Sequence, residues 1–400
     1  MELIDLLEKR GFLYQSSNLN SLKELVNSKK ITFYLGSDPT GDSLHVGHLV
    51  PIMMARWFQK YGHRPIMLVG GATGRIGDPS GRDTGRPMMD EETIKKNSDG
   101  LKKSYSSFIK FGENFPDAIM LDNFSWMSNY SHIEFLKEFG TDFTVPKMLS
   151  MESVKRRLET GMTFLEFNYM TFQAVDFYTL YKKYNCILQL CGADQWGNAV
   201  VGIDLIRKKL GIESYVLSTP LIMDSLGRKI GKSAGNAVYV NEDKTSVFDY
   251  YQYFRNITDD LVEKFLKIFT EIDLEKIDIL IKEDINKAKE VLAFSATEIA
   301  HGSEKAKIAE KTAKDLFMGK GTENAPSINY KSSGEVNIID LVVSVGLFDS
   351  KSEVRRMIEQ GGLTVNGQKI ISIDYKIDTN QKDILIRKGK KTFLRVNFIK

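Results

Sequence analysis

Residues 31–48 read Ile-Thr-Phe-Tyr-Leu-Gly-Ser-Asp-Pro-Thr-Gly-Asp-Ser-Leu-His-Val-Gly-His, and the chain is organised around this stretch. The apolar run 31–35 is typical of a buried strand, and apolar residues at helical spacing follow from His48 onward. A strand that passes through a loop into a helix N-terminus offers free N–H groups and a positive dipole end to an anion. His45 and His48 add side-chain donors there, and Gly47 lets the backbone come close.

Two histidines three positions apart also suit a plain surface or half of a metal site. A second stretch, Gly227-Arg-Lys-Ile-Gly-Lys-Ser233, follows about 180 residues after the histidines, behind the last strand pattern. Its Gly-Lys-Ser invites a phosphate-loop interpretation, but Gly227 precedes Gly231 by four positions rather than the required five. It also closes an α/β region instead of opening a helix. We therefore reject a P-loop NTPase.

Composition bounds the class of protein. The 400 residues suggest two or three domains, and 42% hydrophobic with 27% charged residues is ordinary for an enzyme. A net charge of +3 requires any RNA contact to be a local patch. No uncharged apolar run reaches the roughly 18 residues of a membrane helix, and no signal peptide is apparent. Cys186 and Cys191 flank a strand pattern without a second pair, which predicts core thiols, no metal site and a cytoplasmic location.

Strand–helix alternation through residue 222 predicts a parallel α/β sheet, in which ligands bind beyond the carboxyl ends of the strands. After the second predicted strand, the glycine-rich stretch 70–82 contains no G-x-G-x-x-G, so the dinucleotide fingerprint is absent. Asp78, Arg82 and Arg86 supply charge there. An ordinary glycine-rich surface loop is the alternative.

A further polar group lies on a predicted helix. Tyr169, Gln173 and Asp176 share one face of an otherwise aromatic helix, and a polar stripe in such surroundings is costly unless it meets a partner. It is either a self-satisfied core network or a pocket for a polar small molecule. Asp194 and Gln195 directly follow the next strand between glycines, where they suit ribose hydroxyls and a carbonyl group.

Beyond the sheet, residues 241–320 show only helical periodicity, 321–336 have linker composition, and 337–400 form a small basic module. From Asp340 onward there are twelve Lys/Arg against seven Asp/Glu, which exceeds the positive excess of the whole chain. A helix containing Arg355 and Arg356 precedes a strand and an Asn-Gly turn. The arrangement resembles a small RNA-binding module shared by a ribosomal small-subunit protein and certain RNA-modifying enzymes. A merely solvated tail is the alternative.

Together, His45-Val-Gly-His48 and Lys229-Ile-Gly-Lys232-Ser233 resemble the paired HIGH and KMSKS signatures of class I aminoacyl-tRNA synthetases. Almost the whole chain resembles the bacterial-type tyrosyl-tRNA synthetases. The further matching segments are Tyr34-x-Gly-x-Asp38-Pro-Thr40, Tyr169-x3-Gln173-x2-Asp176, Gly192-Ala-Asp194-Gln195-Trp-Gly-Asn and the C-terminal module. Val46 and Ile230-Gly231 depart from the bare signatures but leave every charged group in place. The resemblance implies an α/β fold: a Rossmann-like catalytic domain over residues 1–240, an all-helical domain and an α+β RNA-binding module.

The resemblance also assigns roles to residues. The tyrosine-binding residues would be Tyr34, Asp38, Asp78, Tyr169, Gln173, Asp176 and Gln195. The catalytic residues, which hold the triphosphate, would be Thr40, His45, His48, Arg82, Arg86, Lys229, Lys232 and Ser233. Further contacts to ATP would come from Gly36, Gly47, His48, Gly192, Asp194 and Lys232. Arg355 and Arg356 would contact tRNA.

The activity implied is that of a tyrosine–tRNA ligase. L-Tyrosine reacts with ATP, accompanied by Mg²⁺, to give tyrosyl-adenylate and pyrophosphate, and the tyrosyl group then passes to the terminal ribose of tRNA(Tyr). The family implies a homodimer through residues 125–165, with the helical and C-terminal domains on the anticodon and variable arms. A tryptophanyl-tRNA synthetase and an RNA-binding paralogue without catalysis are the alternatives. Tyr34 and Asp176, facing a phenol, argue against the first, and the intact histidines and lysines argue against the second.

Overall fold

The computed structural model describes residues 1–80, 89–223, 229–230, 232–233, 236–317, 327–331, 334–389 and 392–399, with all their side chains except those of 152, 153, 156, 160, 232, 233, 236, 317 and 392. The chain forms two compact units. One consists of residues 1–245 and 257–300, and the other of 246–256 and 301–400. None of the helices in the described ranges combines the length and apolar composition needed to cross a bilayer.

The first unit is built on a six-stranded sheet in the order β1-β6-β5-β2-β3-β4. The strands are β1 (Gln15–Ser16), β2 (Thr32–Ser37), β3 (Arg64–Val69), β4 (Ile119–Asp122), β5 (Cys186–Gly192) and β6 (Tyr215–Thr219). All neighbours are parallel except β1, which pairs antiparallel with β6. The predicted Rossmann-like sheet is confirmed. Its strand order reverses between β2 and β5, and ligands of such sheets bind beside the carboxyl ends at that point.

Helices pack on the sheet and make up the rest of the first unit. Two further helices precede the C-terminal module and belong to the second unit. They are α1 (Leu3–Arg10), α2 (Leu19–Ser28), α3 (Leu49–Lys60), α4 (Glu91–Ser106), α5 (Phe124–Met127), α6 (His132–Phe139), α7 (Val145–Leu149), α8 (Glu152–Thr160), α9 (Phe164–Tyr184), α10 (Trp196–Leu210), α11 (Val247–Arg255), α12 (Asp259–Phe269), α13 (Leu274–Glu283), α14 (Ile285–His301) and α15 (Ser303–Phe317). Helices α11 and α15 belong to the second unit, and α14 ends there at His301.

Helix α9 carries the polar stripe and is fixed at both ends. Thr163 and Glu166 form a capping box at its N-terminus, and Asn185 ends it in the left-handed conformation at φ 55°. Between these ends Ala174 and Phe177 are fully buried in the core cluster of the first unit. Because the helix is locked in rotation by this packing, its polar residues point in a defined direction.

Arg10 ties the first helix to the helical segment that follows the sheet. Its buried guanidinium donates hydrogen bonds to the backbone carbonyls of Lys267, Thr270 and Ile272, at 2.8, 3.0 and 2.6 Å. It also lies 4.5 Å from the ring centroid of Trp57. Carbonyls at the C-terminal end of α12 would otherwise be unpaired, so this arginine anchors α12 beside the sheet.

The second unit contains the predicted small α+β module, which is confirmed. Its elements are β9 (Ser327–Lys331), β10 (Glu335–Asn337), α16 (Ile338–Ser344), α17 (Lys351–Glu359), β11 (Leu363–Val365), β12 (Gln368–Lys369), β13 (Lys376–Asp378), β14 (Asp383–Lys388) and β15 (Thr392–Ile399). Five strands form one sheet in the order β12-β11-β14-β15-β9, and β10 pairs with β13. The predicted Asn-Gly turn joins β11 to β12, with Asn366 at φ 49° and Gly367 at φ 82°.

The module has a core of its own, formed by apolar residues from α16, α17 and the strands, among them Leu341, Val354, Leu363 and Ile384. The stretch expected to be a linker, 321–336, contributes β9, which runs parallel to β15. Polar composition therefore did not prevent this segment from joining the sheet edge.

Candidate active site

Polar side chains converge where β2, β3, β4 and β5 end, at the edge that the fold predicts for ligands. Asp38 follows β2, and Asn123 follows β4. A short 3₁₀ helix, Ala193–Gln195, follows β5 and carries Asp194. Helix α9 lies over this edge with its polar stripe.

The carboxylate of Asp176 is the most constrained polar group of the site. One of its oxygens accepts a hydrogen bond from Asn123 Nδ2 at 2.9 Å, and the other accepts one from Trp126 Nε1 at 2.9 Å. The residue is 2% exposed. Burial raises the pKa of Asp176 to about 7, although the two hydrogen bonds act in the opposite direction. The result is a fixed acceptor in nearly dry surroundings.

Tyr34 lies beside this carboxylate with a buried hydroxyl that has no hydrogen-bond partner among the described residues. Burial raises its pKa well above the usual range, and the nearby charge of Asp176 adds to the effect. The ring packs against Phe177 at 5.3 Å between centroids. A buried hydroxyl without a partner is costly, so this pair is suited to a ligand that supplies a polar group.

A second cluster connects the loop after β2 to α9. Asp38 accepts a hydrogen bond from Tyr169 Oη at 2.9 Å with one oxygen and from Thr73 Oγ1 at 2.7 Å with the other. The pKa of Tyr169 is raised, first by burial and then by the charges of Asp38 and Asp78. A Cβ on Gly70 would lie 2.1 Å from the Asp38 carboxylate, so glycine is required there. Asp38 and Tyr169, each predicted to bind tyrosine, are thus brought together.

A third cluster holds Asp78, which is 7% exposed. Its carboxylate accepts a hydrogen bond from Gln195 Nε2 at 2.5 Å and one from the backbone N–H of Ser80 at 2.9 Å. Asn198 Nδ2 adds a longer contact at 3.4 Å. Gln173 lies half-buried one turn after Tyr169, and within the described residues its side chain makes no hydrogen bond.

The two histidines follow β2 in the predicted order, at a 3₁₀ turn (Val46–His48) that leads into α3. Their rings stack at 3.6 Å between centroids, and His45 Nδ1 accepts a hydrogen bond from the Gly47 N–H at 3.0 Å. No group of three or more metal-ligating side chains occurs in the part of the chain that the structure describes. A Cβ on Gly47 would lie 2.8 Å from the Ile230 carbonyl oxygen. Gly47 therefore allows the lysine stretch to pack on the histidine turn.

The lysine stretch reaches the site from the end of β6. Lys229 Nζ lies 3.6 Å from a carboxylate oxygen of Asp194, and this lysine side chain is 55% exposed. The backbone of Lys232 and Ser233 forms β7 (Lys232–Ser233), which pairs with β8 (Asn236–Ala237). The side chains of Lys232 and Ser233, and all of Arg82 and Arg86, lie outside the described residues.

The remaining predicted residues lie at the same edge or on the C-terminal module. Gly36 and Thr40 are exposed around the end of β2. Gly192 ends β5, where a Cβ would lie 2.8 Å from Asp194 Oδ1. Arg355 and Arg356 are exposed on α17.

Sequence reasoning missed four side chains that complete the clusters, namely Thr73, Asn123, Trp126 and Asn198. Asn123 directly follows β4, and this position at a carboxyl strand end was a usable signal. No local pattern marks Trp126, because its role depends on α5 lying against α9.

Comparison with known proteins identifies the family. Residues 26–318 match the family model "tRNA synthetases class I (W and Y)", and residues 318–396 match "Tyrosine--tRNA ligase SYY-like C-terminal domain". The tyrosine–tRNA ligase of Acetivibrio thermocellus is 46% identical, with 99% of each chain covered. The chain belongs to the tyrosine–tRNA ligase family. The ligase of Clostridium tetani is 42% identical, with 98% of each chain covered.

A solved structure agrees with this family. The C-terminally truncated mitochondrial tyrosyl-tRNA synthetase of Aspergillus nidulans has a TM-score of 0.71 at 29% identity, covering 79% of this chain and 94% of its own. The predicted fold and the predicted enzyme class, a tyrosine–tRNA ligase, are therefore confirmed. Which residues of this ligase bind each substrate stays a prediction, and the clusters above supply the argument for it.

Proposed function

We propose that this ligase selects tyrosine with the buried pair Tyr34 and Asp176, and that it joins tyrosine to tRNA(Tyr) through tyrosyl-adenylate. The observation that carries the proposal is the unpartnered Tyr34 hydroxyl beside a carboxylate that Asn123 and Trp126 hold in place. A phenol hydroxyl entering this space donates to Asp176 and accepts from Tyr34. A phenylalanine side chain leaves the Tyr34 hydroxyl without a partner and gives Asp176 no donor, and an indole N–H accepts no hydrogen bond from Tyr34.

The other end of the amino acid binds to the second and third clusters. The ammonium group needs acceptors, and Asp78, Tyr169 and Gln173 supply carboxylate, phenol and amide oxygens at the same edge of the sheet. Asp38 and Gln195 hydrogen-bond to Tyr169 and Asp78. We assign these two residues to positions near the tyrosine and the adenylate.

The reaction needs no enzyme nucleophile or base, since the tyrosine carboxylate attacks the α-phosphate and pyrophosphate leaves. Catalysis then rests on positioning and on stabilising the charge that moves onto pyrophosphate. The contact of Gly47 with Ile230 brings the histidine turn and the lysine stretch together, which supports a shared role on the triphosphate. We assign that role to Thr40, His45, His48, Arg82, Arg86, Lys229, Lys232 and Ser233. Mg²⁺ arrives bound to the phosphates of ATP as part of the substrate.

The nucleoside lies beside β5 in this proposal. Asp194 contacts the ribose, and the backbone of Gly36, Gly47 and Gly192 supplies further contacts to the nucleotide. The ion pair between Lys229 and Asp194 supports this placement. It brings a residue assigned to the triphosphate beside the residue assigned to the ribose.

The test is ATP–pyrophosphate exchange measured with each of the twenty amino acids. We expect exchange with tyrosine, far weaker exchange with phenylalanine, and none above background with tryptophan. Exchange with tryptophan alone would identify the related tryptophanyl enzyme. Absence of exchange with every amino acid, in a protein that still binds tRNA, would support the RNA-binding alternative.

For tRNA, we propose that the helical segment 241–320 and the module 337–400 hold the anticodon and variable arms. Arg355 and Arg356 supply phosphate contacts, and their exposure on α17 supports this role. We also propose a cytoplasmic location. It is supported by the two cysteines, which are buried thiols whose pKa is raised by burial.

We further propose a homodimer through residues 125–165. Among the described side chains of this segment, seven large apolar ones are exposed in the single chain: Ile133, Leu136, Val145, Leu149, Leu158, Phe164 and Leu165. Ile133 and Phe164 are 76% and 70% exposed. Soluble monomers rarely leave so much apolar surface within a short stretch, so a second copy is the expected cover.

Sedimentation at micromolar concentration should therefore give twice the chain mass of 45.4 kDa. The double variant Ile133→Glu/Phe164→Glu should sediment as a monomer, because four buried carboxylates would be forced into the interface. Ile279→Glu is the matched control, since Ile279 is 54% exposed on α13, and it should leave the dimer intact. A monomeric unaltered chain would contradict the proposal.

A further inference from the structure

Asn241 lies at the centre of a buried polar cluster that joins three segments of the first unit. It is 5% exposed, and its side-chain Nδ2 donates to the carbonyl oxygens of Asp42 at 3.0 Å and Gly100 at 3.2 Å. Its Oδ1 accepts a hydrogen bond from Ser104 Oγ at 3.0 Å, and its backbone N–H donates to Ser43 Oγ at 3.1 Å. The hydrogen-bonding capacity of this amide is therefore used by identified partners.

Helix α4 forms one side of the cluster. The Leu44 N–H donates to Ser104 Oγ at 3.2 Å, so the same hydroxyl serves both Asn241 and the loop after β2. A Cβ on Gly100 would lie 1.9 Å from the Asp42 carbonyl oxygen. The α4 backbone thus packs directly against this loop, and glycine is required for the contact.

The segment that carries Asn241 leaves the lysine stretch and pairs with the histidine turn. The Val46 N–H donates to the Val238 carbonyl at 2.9 Å, and the Val240 N–H donates to the Leu44 carbonyl at 2.8 Å. His45 lies in the middle of this short antiparallel pairing, opposite Tyr239. Asn241 directly follows this pairing and connects it to α4 through its hydrogen bonds.

The hydrogen bonds of Asn241 fix the geometry of the cluster as well as filling buried space. Because its donors hold two backbone carbonyls, the amide of Asn241 cannot turn without leaving buried groups unpaired, and it therefore holds one geometry. The segments it joins are the loop that contains His45 and the chain that follows Lys229 and Lys232. Neither α9 nor the Tyr34–Asp176 pair takes part in the cluster.

We propose that Asn241 is a positioning residue for tyrosyl-adenylate formation. It fixes the downstream end of the lysine stretch against the histidine turn, so that both sets of donors face the triphosphate of ATP together. It contacts no substrate. The inference rests on the proposed function, because it takes these two segments as the triphosphate site.

The test is Asn241→Ala in the full-length chain. We expect kcat for tyrosine-dependent ATP–pyrophosphate exchange to fall about 10- to 100-fold, the size of effect that slight misplacement of reacting groups produces. The Kd for tyrosine, measured by equilibrium dialysis without ATP, should stay within about twofold of the unaltered protein, since α9 and the sheet edge that bind it are untouched.

Ser104→Ala provides a second, smaller change in the same cluster, and it should lower kcat in the same direction without changing the Kd for tyrosine. Thr270→Val is the matched control, because Thr270 is also fully buried and donates to the Leu266 carbonyl at the end of α12. It should reduce thermal stability but leave kcat unchanged. Unchanged kcat in both cluster variants, or an equal loss of tyrosine affinity, would overturn the inference. Lack of exchange by the unaltered protein would instead overturn the proposed function.

Discussion

Replacing Asp176 by alanine should lower kcat/KM for tyrosine in ATP–pyrophosphate exchange by about 10- to 150-fold. The variant loses the carboxylate that accepts the substrate hydroxyl, and a hydrogen bond to a charged group is worth about 1.5–3 kcal/mol. It also leaves the Asn123 and Trp126 donors without their acceptor in a buried site. The measurement is kcat/KM for tyrosine and for phenylalanine, and the loss should be far smaller for phenylalanine.

Tyr34→Phe should have a gentler effect on the same ratio, because Asp176 remains to accept the substrate hydroxyl. A site built to form a hydrogen bond with a hydroxyl rejects the analogue that lacks it, and tyrosyl-tRNA synthetase is the standard example of this behaviour. Tyr105→Phe is the matched control, since Tyr105 is likewise fully buried but lies on α4. An unchanged tyrosine-to-phenylalanine ratio in Tyr34→Phe would make Tyr34 a core residue only.

The activity loss expected of Asp176→Ala comes from lost contacts and not from misfolding, and the pH dependence of its free energy of unfolding tests this. The pKa of Asp176 is about 7 in the folded protein against an ordinary value of 3.8. Between these values the folded state retains a proton that the unfolded state has lost, so this carboxyl lowers the free energy of unfolding as pH rises. The effect is on the order of 4 kcal/mol when complete. The free energy of unfolding of the variant, minus that of the unaltered protein, should therefore be larger at pH 8 than at pH 5. Urea titrations at the two pH values measure this difference.

The parts of the site that sequence predicts are those governed by local geometry. The spacing of Tyr169, Gln173 and Asp176 places them on one face of any helix, so their shared direction needs no knowledge of the fold. The strand, turn and helix around His45 and His48 follow equally from neighbouring residues. The structure adds the stacking of the two rings and the reason for Gly47, which makes room for the Ile230 carbonyl.

The parts that sequence reasoning missed depend on elements distant in the chain. Trp126 reaches Asp176 across 50 positions, and Asn241 reaches Asp42 across 199. Neither pairing has a local signal, because strand order and helix packing decide which side chains meet. β9 is a similar case, since its place beside β15 comes from pairing with residues about 68 positions away. Its own composition is that of a linker.

A chain that ends at Ala325 should catalyse tyrosine-dependent ATP–pyrophosphate exchange at close to the full rate but charge tRNA poorly. All residues assigned to tyrosine and ATP precede residue 240, whereas the basic excess follows Asp340. The cut also falls before β9, so it removes the whole sheet of the module together with its separate core. The truncated mitochondrial relative supports the expectation that the remaining part folds.

The loss should appear chiefly as weaker tRNA binding, with KM for tRNA raised about tenfold or more, because phosphate contacts dominate such affinities. The dependence of binding on salt should become shallower by about one unit of slope for each lost phosphate contact. Arg355→Gln/Arg356→Gln in the full chain should shift both quantities part of the way. Lys9→Gln/Lys29→Gln is its matched control, since these lysines are equally exposed but lie on α1 and at the end of α2. If the truncated chain charges tRNA normally at physiological salt, the module does not act through its positive charge.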